Sequence, residues 1–360
     1  MADVAPLQAE RRMTPRRVFV IIAIVLALTL VALGVYLFWF LGRPEVLTGE
    51  PARAGIQPIW QVFGPGEGDL PRFDRPMSVA VGARDRVYVT DARNDRVCVF
   101  DPAGRFLFEF GATGIAKPAP GVKATYAAGT LNFPVGIDTD GDGNVYVASL
   151  YNDSIEVFTS EGDPLRRFPD PLVVTGAGGS GAYGTGIAVT AIAVHDDRVW
   201  VTDTYQVLAF TLEGELITQW GRPGTASADL DHPNGIAVSD DGETIYISDS
   251  NHNRVTAFTP EGEVIWQVGH IASGIQDPSE RIFDLPRGIT VLADDSILVV
   301  DALRSDLVHL SADGTLIGRY GERGTLPGQM NFANDVTTLR GFILLADKGG
   351  DRLQMVRLTY

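Results

Sequence analysis

Apolar positions along residues 57–360 come in short runs of four to six, rich in β-branched and aromatic residues and bounded by Gly, Asp and Pro. Such runs predict β-strands. They fall into groups of four. The first run follows a proline or its equivalent: Met77–Val81, Val135–Thr139, Thr190–Val194, Asn234–Val238, Arg287–Val291 and Asn334–Thr338. The second reads VYVTD, VYVAS, VWVTD, IYISD, ILVVD and ILLAD; the third reads RVCVF, SIEVF, QVLAF, RVTAF, DLVHL and RLQMV. A glycine turn (Gly104, Gly162, Gly214, Gly262, Gly314) leads to the fourth. That run ends in an aromatic or valine before Gly64, Gly111, Gly221, Gly269 and Gly321, with one degenerate copy ending at Arg166-Arg167-Phe168. From Gly64 to Gly321, five repeats span 257 residues, about 51 each. Four-stranded units of this period, arranged in a circle, predict an all-β fold, a β-propeller.

The two ends set the blade number. The sixth unit stops at Tyr360 with only three runs, while Ile59–Phe63 is a fourth run with no first three before it. Pairing them closes a six-bladed ring and removes two open sheet edges. A linear solenoid would leave Ile59–Phe63 without a role.

Residues 1–56 follow a different pattern. Val18–Leu41 is 24 residues without a charge, long enough as a helix, about 36 Å, to cross about 30 Å of hydrocarbon. Arg11, Arg12, Arg16 and Arg17 precede it and Arg43 alone closely follows. This bias places the N-terminus in the cytoplasm and the propeller outside. The expected organisation is a cytoplasmic tail (1–17), a transmembrane signal anchor (18–41), a linker (42–56) and the propeller (57–360), single-pass in the cell membrane. A cleaved signal peptide is the rival reading, but its apolar core should be shorter.

Net charge is −16. Residues 1–50 hold five arginines against four acids, leaving 24 bases against 41 acids, or −17, for residues 51–360. An acidic body argues against nucleic acid as a partner. Cys98 is the only cysteine, which excludes an intrachain disulfide and thiolate metal clusters.

The pattern Phe-x-x-Pro-x-(Gly)-hydrophobic, then (Val/Ile)-Tyr-(Val/Ile)-x-Asp, then Asn/Arg and x-x-Phe, resembles the NHL-repeat family of six-bladed propellers. Asp249-Ser250-Asn251-His252-Asn253-Arg254 is the closest local match. The resemblance covers about residues 57–360. It implies the fold, but relatives include RNA- and protein-binding modules, extracellular sensor domains of receptor kinases and a zinc lyase, so it does not choose a function. The zinc lyase uses several histidines converging on the central channel; here only His232 sits just before an innermost strand.

Candidate chemistry is sparse. Asp91, Asp203, Asp249, Asp301 and Asp347 end the second runs, and Arg96, Arg254 and Arg352 follow five residues later in three of them. Charge-assisted pairs across that turn would fix the loop. Asp138, Asp140, Asp142 and Asn144 form the first half of a calcium-loop pattern, although Ser149 stands where an EF-hand needs Glu and any tight hairpin favours the same residues. The mouth of the channel, where innermost strands begin, carries Thr190, Asn234, Arg287 and Asn334, with Asp335 alongside. These are the candidate ligand-binding residues. Lactonase-type relatives hold calcium with Asn and acids from this region, so Asn234, Asn334 and Asp335 could imitate that site, against the charge of Arg287. No catalytic residue and no obligatory cofactor is assigned.

Two connectors between blades, Ala112–Asn132 and Pro169–Thr185, are long and lie on the face opposite the short intrablade turns. Long loops on a rigid scaffold commonly carry binding. The expectation is therefore a membrane-tethered extracytoplasmic binding or scaffold module, with a protein or surface-ligand partner on the connector face. The alternative is a calcium- or metal-assisted hydrolase, lactonase or lyase at the channel mouth.

Overall fold

The structure, a computed structural model, describes residues 26, 29–31, 33, 45–46, 55–66, 72–113, 127–169, 188–269 and 282–359. Most of Val18–Leu41, the anchor expected from sequence, lies outside the described residues. Leu26, Thr29, Leu30, Val31 and Leu33 are helical. Among the described residues no helix is long and apolar enough to cross a membrane. The chain divides into two units, residues 1–43 and 44–360.

In the second unit, six antiparallel sheets form the blades. Their innermost strands are Pro76–Val81, Pro134–Thr139, Ala191–His195, Pro233–Val238, Pro286–Val291 and Asp335–Leu339. Each is followed outward by three more in chain order, except in the last blade. There, Arg352–Leu358 pairs with Ile56–Val62, from Ile56 opposite Leu358 to Val62 opposite Leu353. The N-terminal strand thus closes the ring, as the count of runs predicts. Two details differ from the sequence expectation. The closing strand starts at Ile56, and Glu45–Val46, inside the expected linker, pairs outside it as a fifth strand. A two-residue strand is too short to leave a periodic signal.

The core lies between blades. Phe100, Phe158, Phe210 and Phe258, from the third strands, are each at most 1% exposed. An aromatic from the preceding blade's fourth strand packs against three of them. Ring centroids are 4.7 Å apart for Phe110 and Phe158, 5.6 Å for Phe168 and Phe210, and 4.7 Å for Trp220 and Phe258.

The Asp–Arg pairs form: Arg96 to Asp91 at 2.9 Å, Arg254 to Asp249 at 2.9 Å and Arg352 to Asp347 at 2.7 Å. The same carboxylates accept backbone N–H groups of the incoming connectors, Asp74, Asp231 and Asn331. They weld each connector to the loop between second and third strands, which places both on one face. In the fifth blade Asp301 accepts from Asp284 and Leu285 instead, and Asp306 takes the arginine's place and pairs with Arg319 at 2.9 Å.

Candidate functional site

Each innermost strand contributes one aliphatic side chain to a ring about the channel: Val79, Ile137, Ile192, Ile236, Ile289 and Val336, all buried. The expected mouth residues Thr190, Asn234, Arg287 and Asn334 each precede their blade's member of this ring by two positions, on the connector face. They are linked from neighbour to neighbour. Thr190 Oγ1 donates to Pro233 O at 2.5 Å and lies 2.8 Å from Thr202 Oγ1. Asn234 Nδ2 donates to His232 O at 2.8 Å and Ser250 Oγ at 2.9 Å. Arg287 Nη1 donates to Asn334 Oδ1 at 3.0 Å, and Asn334 Nδ2 to Met77 O at 2.8 Å. Hydrogen bonds thus run from blade five through blade six to blade one.

Asp335 faces elsewhere. Its carboxylate accepts from Ser78 Oγ at 2.5 Å and from the N–H groups of Val79 and Val336. Gly288 leaves room for it, since a Cβ there would lie 2.5 Å from Asp335 Cα. Asp335 lines a cavity of about 220 Å³ in the channel, together with the aliphatic ring, Asp138, Thr290 and Thr337. His195 and Asp240 stand at the turn-face end of the same cavity. Asp138 accepts from Val194 N at 2.7 Å and Thr139 N at 2.8 Å. Burial pushes its carboxyl up to about 7, and the negative charge of Asp335 adds to the shift. Burial likewise pushes Asp335 up to about 6. Protonatable groups of this kind in a cavity mark functional candidates.

Asp138 therefore belongs to the channel, while Asp140 holds the hairpin. Asp140 accepts from Asp142 N, Asn144 N, Asn144 Nδ2 and Tyr146 Oη, all at 2.8–3.0 Å. Asp142 and Asn144 lie in that turn. Among the described residues, no group of three or more His, Cys, Asp and Glu side chains is placed to hold a metal ion.

The connector-face mouth has features that the repeat alignment did not mark. The residues entering four innermost strands hold left-handed backbone: Arg75 at φ 59°, Phe133 at 57°, His232 at 53° and Phe332 at 59°. This conformation is uncommon for residues with a Cβ and tends to concentrate at functional sites. Tyr151 packs on Phe133 and Tyr205 on His232, at 5.4 and 5.9 Å between centroids. The Arg287 guanidinium lies 5.5 Å, and the Lys348 ammonium 5.2 Å, from the centroid of Phe332. Burial and the neighbouring charges of Arg287 and Arg75 pull Lys348 down to about 8. Sequence reasoning named Arg287 but missed Lys348 and Phe332. The signal was the break in the family pattern at Phe332-Ala333, where four of the other five blades place a proline.

Residues 230–258 match the family model described as NHL repeat. The chain carries an NHL repeat within a six-bladed propeller. That NHL stretch covers the end of the third connector and three strands of the fourth blade. Among curated relatives, the chain is 26% identical over 139 residues to protein brain tumor of Drosophila melanogaster, covering 29% of this chain and 13% of that protein. It is 25% identical over 160 residues to human NHL repeat-containing protein 3, covering 42% of this chain and 44% of that one. It therefore spans less than half the length of either. Solved structures share the fold. Virginiamycin B lyase from Staphylococcus aureus superposes with a TM-score of 0.55 at 14% identity, covering 84% of this chain and 99% of the lyase. A gluconolactonase from Xanthomonas campestris gives 0.56 at 18%, covering 79% and 86%.

Proposed function

We propose that this NHL-repeat propeller is tethered to the cell membrane by residues 18–41, stands outside the cytoplasm, and binds a ligand or protein partner at the connector-face mouth of its channel. The observation that carries the binding reading is the set of left-handed residues, Arg75, Phe133, His232 and Phe332, around that mouth. Four blades hold this unfavourable backbone at one position, the residue entering the innermost strand, and it is aromatic or cationic in each. The connectors 112–132 and 169–185, expected on the same face, lie mostly outside the described residues. The 24 uncharged residues and the arginine bias of the flanks support the tether.

The test is crosslinking in native membranes. Phe133→Ala with His232→Ala should remove the captured partner while the thermal midpoint stays within a few degrees. Loss of the partner on changing the opposite turn face, near Gly104 and Gly314, with the mouth variants silent, would overturn the reading. Protease added outside spheroplasts should digest the propeller; complete protection would sink the orientation.

A second reading has one observation in its favour: Asp138 and Asp335, protonatable near neutrality, share the channel cavity. A hydrolase, lactonase or lyase would use one as general acid and the other as base. Turnover of any member of a lactone panel that disappears in Asp138→Asn would favour it over the binding module.

A further inference from the structure

We propose that Arg287, Lys348 and Arg75 form a subsite for a small oxyanion, a carboxylate or phosphate group, seated at the connector-face mouth against Phe332. This rests on the mouth being the binding surface and names the chemistry it takes. The surrounding chain makes the cluster unusual. Many arginines elsewhere meet carboxylates: Arg86 with Glu161, Arg96 with Asp91 and Glu109, Arg319 with Asp306, Arg352 with Asp347. The whole protein carries a net charge of −16. Yet among the described residues no carboxylate lies within ion-pair distance of the side chains of Arg75, Arg287 or Lys348. Asp351 meets only the backbone of this cluster, accepting the N–H of Arg75 at 3.0 Å.

Three cations brought together without a counter-charge repel one another. Burial is the main pull on the Lys348 ammonium, and the charges of Arg287 and Arg75 add to it. Burial also pulls the Arg287 guanidinium down, and its Nε is buried with no hydrogen-bond partner. A buried donor left without a partner is unfavourable unless something else supplies the acceptor. The Phe332 ring offers its π-face to the two cations beside it but no lone pair to the donors. A carboxylate or phosphate oxygen would supply both the missing charge and the missing acceptors, because guanidinium and ammonium donors form strong charge-assisted bonds to such groups. The groups facing Lys348 are Arg287 on the fifth blade's innermost strand and Arg75 at the entry to the first. Asp347, next to it in sequence, is committed to Arg352.

The full chain is titrated by calorimetry with inorganic phosphate and, separately, with succinate, at constant chloride. Saturable binding at millimolar concentration is expected at pH 7. It should weaken about tenfold in Lys348→Gln, and further in Lys348→Gln with Arg75→Gln. It should also fade as pH passes about 8, where Lys348 loses its proton. Binding of phosphate alone, of succinate alone or of both supports the subsite and identifies the group. No saturable binding of either, or binding that survives the double variant, overturns it. If the anions fail while Phe133→Ala with His232→Ala still abolishes partner capture, this subsite is wrong and the mouth reading stands.

Discussion

An aspartate that holds its proton up to about pH 7 binds protons more tightly in the folded chain than in the unfolded one, where an Asp releases its proton near 3.9. Asp138 is such a group and Asp335, up to about 6, is another. With folded values raised, their favourable contribution is present at low pH and lost as pH rises through 6 and 7. Asp138→Asn imitates the protonated form. At pH 8 it should therefore stabilise the propeller by about 1–3 kcal/mol, with the difference from wild type shrinking towards pH 5. Thermal unfolding of both proteins across that range checks this; a difference that grows on acidification would contradict it. The sequence drew attention to Asp138 for a different reason, its place in Asp138-Thr139-Asp140-Gly141-Asp142. That spacing suggests a shared cation, but strand and turn divide the acids. Asp138 accepts from the neighbouring blade's Val194, and Asp140 closes its own hairpin. The facing partner, Asp335, is 197 positions away in the chain, and no local pattern reports such proximity.

At the scale of the strand and turn, the sequence was far more informative, because one packing unit repeats. The turn between third and fourth strands needs a glycine for two reasons. At Gly262 the backbone has φ of +90°, and an added Cβ would lie 2.6 Å from the Trp220 ring of the preceding blade. Gly162 meets Phe110 in the same way, also at 2.6 Å. An aromatic of one fourth strand and the glycine that starts the next are thus two halves of a single contact, which recurs from blade to blade. Gly262→Ala should destabilise by about 1–3 kcal/mol, read from the denaturant midpoint. Gly141→Ala is the control, since nothing lies within 4 Å of a Cβ there, and its midpoint should hardly move. What this scale hides is the mouth. Lys348 sits in the short loop after a second strand, where blade four has Ser250 and blade one Ala92, and it gains meaning only because Arg287 and Arg75 approach from other blades.

Closure belongs to the whole molecule, since it joins residues about 290 positions apart. Ile56–Val62 satisfies the edge of Arg352–Leu358. Arg352, 1% exposed, binds Asp347, Gln61 Oε1 at 3.0 Å and the carbonyls of Thr325 and Gln329. On its other side, Trp60 Nε1 donates to Pro102 O at 3.3 Å, and the ring fills the space above Gly104. The N-terminal strand therefore holds the last blade and the first together. Arg352→Met would leave Asp347 buried without its counter-charge and should destabilise by about 3–5 kcal/mol. Removing the strand should do more. A chain beginning at residue 55 keeps every one of these contacts and is expected to unfold in one cooperative transition. A chain beginning at residue 65 loses the ladder, the Gln61 bond and the Trp60 contact together, and exposes an apolar edge able to pair with another copy. Light scattering and denaturant unfolding of the two truncations separate the cases. Aggregation or a strongly lowered midpoint confined to the shorter chain is the expected result, whereas equal midpoints would show that the ring holds without its closing strand.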